Sequence, residues 1–251
     1  MSRTKLYSIA DVTIGIFAPW EIVEPNDFPE FEVESAEPDY SIFVHKGEAG
    51  DFPAETDYVI RKRSGNTIDL FYKPSVAELA YPRSVLADAG IDALLAEHDA
   101  FILHSSYIGI NGKALLFSAP SGTGKSTQAD FWHSERGAEI INGDRSIVSL
   151  RNGRFFANGC FFSGSSGFCK NITLPLHAVV LLGQAERNIA ERAAGLDAFI
   201  RILNETQLSS MDTENVSRVT GLIEKLIAEV KIIDFRCVND PNTVEYLEKY
   251  L

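Results

Sequence analysis

Through the first 75 residues, apolar and polar positions alternate or fall in short β-branched runs. The runs are Leu6–Ile9, Val12–Phe17, Phe31–Ser35, Tyr40–Lys46, Asp57–Lys62 and Ile68–Tyr72. A period of two in runs of this length predicts strands. Turn-forming residues separate them, among them Ser64-Gly65-Asn66 and a Pro-rich stretch from Pro25 to Pro38. From Ser75 to Glu97 the spacing becomes helical, with breaks expected at Pro82 and Gly90. The pattern predicts a β-rich N-terminal unit with linker helices over residues 1–95 and a second unit over residues 96–251.

The second unit opens on three short apolar runs, Phe101–His104, Tyr107–Ile110 and Lys113–Ser118. Asn111-Gly112 lies between the last two, and Asn-Gly between apolar runs is a strong signal for a two-residue hairpin. The strand ending at Ser118 is therefore expected to pair antiparallel with the one before it. A helix is expected from Lys125 to Arg136, stopped by Gly137. Further strands are expected at Ala138–Asn142, Ile147–Leu150, Ala178–Leu182 and Lys231–Val238. Further helices are expected at Glu191–Asn204, Thr213–Glu229 and Asn242–Tyr250.

Between the third apolar run and the helix stands Ser118-Ala119-Pro120-Ser121-Gly122-Thr123-Gly124-Lys125-Ser126-Thr127. A glycine-rich turn between a strand and a helix is suited to phosphate. Gly122 and Gly124 let the backbone turn its N–H groups inward, and the helix adds its positive end. Ser121 to Thr127 would cradle the phosphates, Lys125 would reach the β- and γ-phosphates, and the Ser126 hydroxyl would ligate Mg²⁺. The match to G-x-x-x-x-G-K-[ST] has one departure, Ala119 in place of the first glycine. Nineteen residues after Lys125, Asp144 ends the next apolar strand, where phosphoryl transfer needs a carboxylate for Mg²⁺.

Composition narrows the partners. The chain has 251 residues, 45% of them hydrophobic, and a net charge of −12. That charge opposes non-specific attraction to nucleic acid or to an anionic membrane. Cys160, Cys169 and Cys237 are an odd set without zinc spacing and read as reduced thiols. There is no apolar leader and no run of membrane-spanning length, so a cytoplasmic protein is expected.

Ser121-Gly122-Thr123-Gly124-Lys125-Ser126, preceded by an antiparallel hairpin and followed by Ile141-Asn142-Gly143-Asp144-Arg145, resembles the HPr kinase/phosphorylase family. ATP-dependent phosphoenolpyruvate carboxykinases share that phosphate-site architecture. Leu103-His104-Ser105 resembles the Leu-His-Gly element of HPr kinases, whose His belongs to the active site. The likeness spans Phe101 to Val148. It implies an α/β P-loop domain of the HPr-kinase/PEP-carboxykinase type, with a mixed sheet, after the β-rich segment. It implies ATP and Mg²⁺, and a kinase that passes the γ-phosphate to a hydroxyl of a protein, peptide or small metabolite. HPr kinases carry two adjacent Asp residues where this chain has Gly143-Asp144. Asp144 matches the second, metal-binding Asp, while the family's acid/base position is Gly143. The general base is left open between His104, an unidentified carboxylate and none. His104 reads equally as a strand-end histidine with a satisfied hydrogen bond. The other functional reading is a nucleotide-binding regulatory or partner-binding module with little catalysis, and a homo-oligomer is allowed.

Weaker signals surround these. Phe161-Phe162-Ser163-Gly164-Ser165-Ser166-Gly167 reads as a loop able to close over substrate, with Lys170 beside it to neutralise developing charge, or as a solvated loop with a surface lysine. Arg61-Lys62-Arg63 reads as a solvated turn before a partner site. Phe131 and Trp132 read as core, and His45, His98, His133 and His177 have no ligand spacing.

Overall fold

The computed structural model describes residues 3–20, 28–52, 57–164, 167–208 and 212–251. The acidic and Pro-rich stretch around Pro25 falls partly outside them, as do Ser165 and Ser166. The described residues form a mixed α/β structure with two mixed sheets.

The first sheet holds β1 (Arg3–Ile9), β2 (Val12–Ala18), β3 (Tyr40–Lys46), β4 (Val59–Ser64) and β5 (Thr67–Tyr72) in the order β1-β2-β3-β5-β4. The outer pairs are antiparallel hairpins, and β3 lies parallel to both β2 and β5. Phe31–Ser35 is not the strand its pattern suggests. Pro29 opens a 3₁₀ turn, Pro29–Phe31, and only Glu32 makes a bridge, to Tyr7. Phe31 is instead buried against Phe28 and Phe161. Pro82 does not break a helix but starts one, α1 (Pro82–Asp88), where its missing N–H costs nothing. Gly90, at φ +80°, separates α1 from α2 (Ile91–Ala96).

The second sheet begins with β6 (Ala100–Ile110), one continuous strand where two runs were expected. The polar break between them, Ser105 and Ser106, is buried, and each hydroxyl is bonded. Ser105 Oγ lies 2.6 Å from Ser146 Oγ, and Ser106 donates to the Gly143 carbonyl at 3.0 Å. Then follow β7 (Lys113–Ser118), α3 (Lys125–Arg136), β8 (Glu139–Asn142), β9 (Arg145–Arg151) and β10 (Arg154–Asn158). The chain continues through β11 (Thr173–Gln184), β12 (Ile189–Arg192), α4 (Gly195–Asn204), α5 (Thr213–Glu229), β13 (Lys231–Cys237) and α6 (Thr243–Glu248). The strand order is β10-β9-β6-β7-β11-β13-β12, with β8 also on β6 and β10 also on the start of β11. β6 and β7 are antiparallel across Asn111-Gly112, both at positive φ as a type I′ turn requires. β7, β11 and β13 are parallel.

Helices cover both faces of this sheet. Leu116, Val179 and Leu181 pack toward Ile202, Leu222 and Leu226 of α4 and α5. Their neighbours Leu115, Phe117, Val180 and Leu182 pack toward Ala129 and Trp132 of α3 and Val244 of α6. Strands buried on both faces read as unbroken apolar runs, as β7 does. A third core joins the first sheet, α1 and α2 to Ala100, Ile102, Ile147 and Phe161, so it crosses residue 95. The expected helix at Glu191–Asn204 starts later, at Gly195, because Ile189–Arg192 pairs antiparallel with β13. Among the described residues, no helix is long and apolar enough to cross a membrane.

Candidate functional site

The site lies where three turns meet. β7 carries the chain out of the core at Ala119, and the turn to α3 is shaped by Gly122 at φ +79° and Gly124 at φ +115°. A Cβ at either position would meet nothing within 4 Å, so the backbone conformation, and not space, calls for glycine. Gly124 caps α3 without a side-chain hydrogen bond, and no acidic residue stands in the first turn. The first-turn N–H groups are left facing the turn, with the positive end of the helix dipole behind them. Lys125 is 7% exposed, and its ammonium bonds the Ala119 and Pro120 carbonyls at 2.8 and 3.3 Å. Burial lowers its pKa, while the Glu205 and Asp144 carboxylates pull it back up.

The second turn, between β8 and β9, presents Asp144. It is held by Asn142, which is fully buried. Asn142 Oδ1 accepts the backbone N–H of Asp144 at 2.8 Å and of Arg145 at 2.9 Å. Its Nδ2 donates to the Cys160 and Phe162 carbonyls. One side chain thus fixes both the acidic turn and the entry to the loop beyond Phe162. Asp144 Oδ1 lies 3.5 Å from His104 Nε2, and Oδ2 lies 3.4 Å from Arg145 Nε. These are electrostatic contacts, long for hydrogen bonds. His104 first, then Arg145 and Lys125, hold this carboxyl below the usual carboxylate range against the opposing effect of burial. Ser126 Oγ donates weakly to the Gly143 carbonyl at 3.4 Å, which leaves its oxygen lone pairs open.

The third component is a pair absent from the sequence reading. His104 Nδ1 lies 2.7 Å from Glu205 Oε2, across 101 residues of chain. Glu205 follows the last turn of α4, and its backbone carbonyl also accepts the His104 N–H at 2.8 Å. A carboxylate on Nδ1 selects the tautomer with the proton there and turns Nε2 toward the cleft. Only its place at the end of a helix, before an isolated bridge of Thr206 to Leu103, brings Glu205 here.

These turns enclose a cleft of about 270 Å³. Of the residues expected to act, His104, Ser121, Gly122, Gly124, Lys125, Ser126, Thr127 and Asp144 all line it. Thr123 lines the neighbouring cleft on the other side of the loop. Gly164, in the loop after Phe161, also lines the cleft, and a Cβ there would lie 3.0 Å from Asp144 Cβ. Lys170 is not brought to this cleft: its ammonium is bonded to Glu139 Oε1 at 2.7 Å, at the opposite end of β8 from Asp144. That ion pair is partly exposed. Arg61-Lys62-Arg63 lie in β4, where Lys62 covers the Phe71 ring of β5 and Arg63 pairs with Glu97 at the end of α2. Trp132 is buried against Phe117, away from either cleft's polar groups.

No family model matches the chain, and no curated protein matches it. Among solved structures, it is similar to the Hpr(Ser) kinase/phosphatase from Coxiella burnetii, at 15% sequence identity. The match covers 59% of this chain and 93% of that one, with a TM-score of 0.34. This is a partial likeness of fold.

Proposed function

We propose that this protein is a Mg·ATP-dependent phosphotransferase that passes the γ-phosphate to a hydroxyl of a protein, peptide or small metabolite. The single observation that carries this reading is one cleft lined at once by the uncapped start of α3, Lys125, Ser126, Asp144 and His104. An uncapped helix start, a buried ammonium and a glycine-shaped turn together suit a polyphosphate. The donor set suits Mg²⁺ as well. That ion takes one or two carboxylates and completes its shell with water and phosphate oxygens, so Asp144 and the Ser126 hydroxyl suffice. When bound, the ion would neutralise charge on the transferred phosphoryl group. The Arg145 and Lys125 cations favour the anionic form of Asp144 when the His104 ring is neutral.

The residues divide the work as follows. The loop amides and Lys125 hold and orient the phosphates, which supplies most of the rate in phosphoryl transfer. His104 Nε2 would take the acceptor hydroxyl's proton as the new oxygen–phosphorus bond forms and the bond from the γ-phosphorus to the β,γ-bridging oxygen breaks, with ADP as the leaving group. Glu205 holds the ring and balances the positive charge that develops on it, the arrangement of a base oriented by a third group. Gly143 has no side chain to offer, and its carbonyl is taken by Ser106 and Ser126. That feature supports a second reading, a nucleotide-binding module that signals by occupancy and transfers nothing.

γ-Labelled ATP separates the two. A transferase moves label to an acceptor in a screen of hydroxyl-bearing proteins, peptides and small compounds. A module retains nucleotide and labels nothing, and that outcome with every acceptor class would overturn the enzymatic reading.

A further inference from the structure

The two edges of the first sheet differ. β1 is covered: Leu6 accepts the Val33 N–H at 2.9 Å, and Tyr7 bridges Glu32. β4 pairs with β5 alone, and among the described residues no backbone hydrogen bond from outside the sheet reaches it. Its six residues therefore present a row of N–H and C=O groups to an incoming strand. β4 also holds Arg61-Lys62-Arg63, the only adjacent basic residues in a chain of net charge −12. Arg63 is clasped by Glu97. Arg61 and Lys62 are exposed and make no ion pair among the described residues.

The register sorts these side chains by face. Arg61 and Arg63 lie opposite Leu70 and Ile68, which are buried in the core. Ile60 and Lys62 lie opposite Phe71 and Asp69 on the other face, where Asp69 is held by His45 at 2.7 Å. On the core side, Arg61 and Arg63 line a cleft of about 170 Å³ together with Ala89, Ala93 and Leu94. Asp212 lines it too, its carboxylate accepting the Asn215 N–H at 2.8 Å as the cap of α5. Apolar walls beside an arginine without an ion pair suit a Glu side chain, its methylenes on Ala93 and Leu94 and its carboxylate on Arg61. On the outer face Ile60 and Phe71 are half-buried and offer apolar surface to every second residue of an added strand.

We propose that β4 is a docking edge for an extended acidic polypeptide segment, which joins the first sheet as a further strand with carboxylates and apolar side chains in alternation. As a site for the acceptor, it rests on the phosphotransferase reading above and narrows the acceptor to a protein or peptide. Main-chain bonds supply affinity in strand addition, and pockets for alternate side chains supply selectivity. A second copy of this chain is disfavoured at the same edge, because its own cations would face these. The edge also lies near the cleft of the proposed chemistry. Gln207 bonds Arg145 beside Asp144, and Asp212 lines the cleft at β4. The five residues of chain from one to the other span at most about 18 Å. A segment running a few residues past β4 covers that distance.

The probe is a short fluorescein-labelled peptide of alternating Glu and Val with one Ser, and fluorescence anisotropy reads its binding to the full chain. A Lys/Val peptide of the same length should bind at least roughly tenfold more weakly. Two further Glu/Val peptides carry N-methyl groups on alternate amides, one set per strand edge. One isomer should lose binding and the other keep it, because only one edge of an added strand bonds β4. Arg61→Glu with Lys62→Glu should weaken the Glu/Val peptide by roughly tenfold or more and strengthen the Lys/Val peptide, an exchange that misfolding would not produce. Equal behaviour of the two N-methyl isomers overturns strand addition, and equal binding of the Glu/Val and Lys/Val peptides overturns the acidic preference. If no peptide binds while γ-labelled ATP still labels another acceptor, the docking edge is wrong and the phosphotransferase reading stands. If the peptide binds as expected but no acceptor is ever labelled, the edge stands as a partner surface and the phosphotransferase reading fails.

Discussion

Glu205→Gln is the change that best isolates how His104 works. It keeps the shape and one hydrogen bond to Nδ1 but removes the charge 2.7 Å from the ring. The magnitude follows from the geometry. Opposite unit charges about 4 Å apart interact by about 4 kcal/mol at an effective dielectric near 20. His104 is 24% exposed and Glu205 13% exposed, so solvent screens part of this. A loss of about 1.5–3 kcal/mol from the state in which the imidazole carries the acceptor's proton lowers kcat roughly 10- to 150-fold. The free enzyme loses less, about 1 kcal/mol for exchanging a charge-assisted hydrogen bond for a neutral one. Steady-state transfer from ATP to an identified acceptor gives kcat and KM, and a thermal melt of the same preparation gives stability. The expected result is a large fall in kcat, an unchanged KM for ATP and a small fall in Tm. His104→Ala with Glu205→Gln should be no slower than His104→Ala alone, because both act through one imidazole. Full kcat in Glu205→Gln, with the Tm loss intact, would show that the pair only holds α4 to β6.

Asp144→Asn should keep nucleotide binding and lose metal-dependent turnover, since a neutral amide is the poorer Mg²⁺ ligand; a Mg²⁺ titration of rate and of ATP affinity checks both. Gly164→Ala would set a methyl 3.0 Å from Asp144 Cβ and 3.1 Å from Cγ. Overpacking of this kind costs about 1–3 kcal/mol, and if the carboxylate yields, turnover falls roughly 5- to 150-fold; wild-type turnover in this variant would show that the loop gives way instead. Away from the site, Arg63 clasps Glu97 at 2.6 and 2.8 Å and Tyr40 donates to it, which lowers the Glu97 pKa. A folded-state pKa below the unfolded value means this stability is present above the unfolded pKa, near 4.3, and is lost as pH falls through the folded value. Glu97→Gln should therefore destabilise by about 1 kcal/mol at neutral pH and flatten the acid side of the Tm–pH curve, which a melt series reads directly.

What the sequence made legible was local. Asn111-Gly112 announces the β6–β7 hairpin, and the boundaries of α3 follow from Gly124 and from Gly137 at φ +66°. Asn152-Gly153 carries the same signal and closes the β9–β10 hairpin, yet β10 was not expected, because its Arg154-Phe155-Phe156 start shows no alternation of its own. Helical spacing misled at Glu191, where an edge position on β13 decides in favour of a strand. The phosphate-suited loop and Asp144 were readable because each is a short motif at a strand end. Glu205 was not, since an acidic residue after a helix has no pattern until α4 packs it beside β6. Asn142 likewise looks like an ordinary turn residue until its four bonds are counted. Lys170 shows the reverse case, a cation near a glycine-rich loop in sequence whose ammonium is placed on Glu139 in the fold.

Whether the turn before α3 holds the phosphates of Mg·ATP is decided by the melting temperature of wild type and Lys125→Ala across a Mg·ATP titration. A ligand at 100 times its Kd stabilises a folded protein by about 2.7 kcal/mol, which for a chain of this size raises Tm by roughly 5–11 °C. That rise is expected in wild type and none in Lys125→Ala, which loses the buried ammonium at the loop. An equal rise in both proteins, or no rise in the wild type, would contradict it.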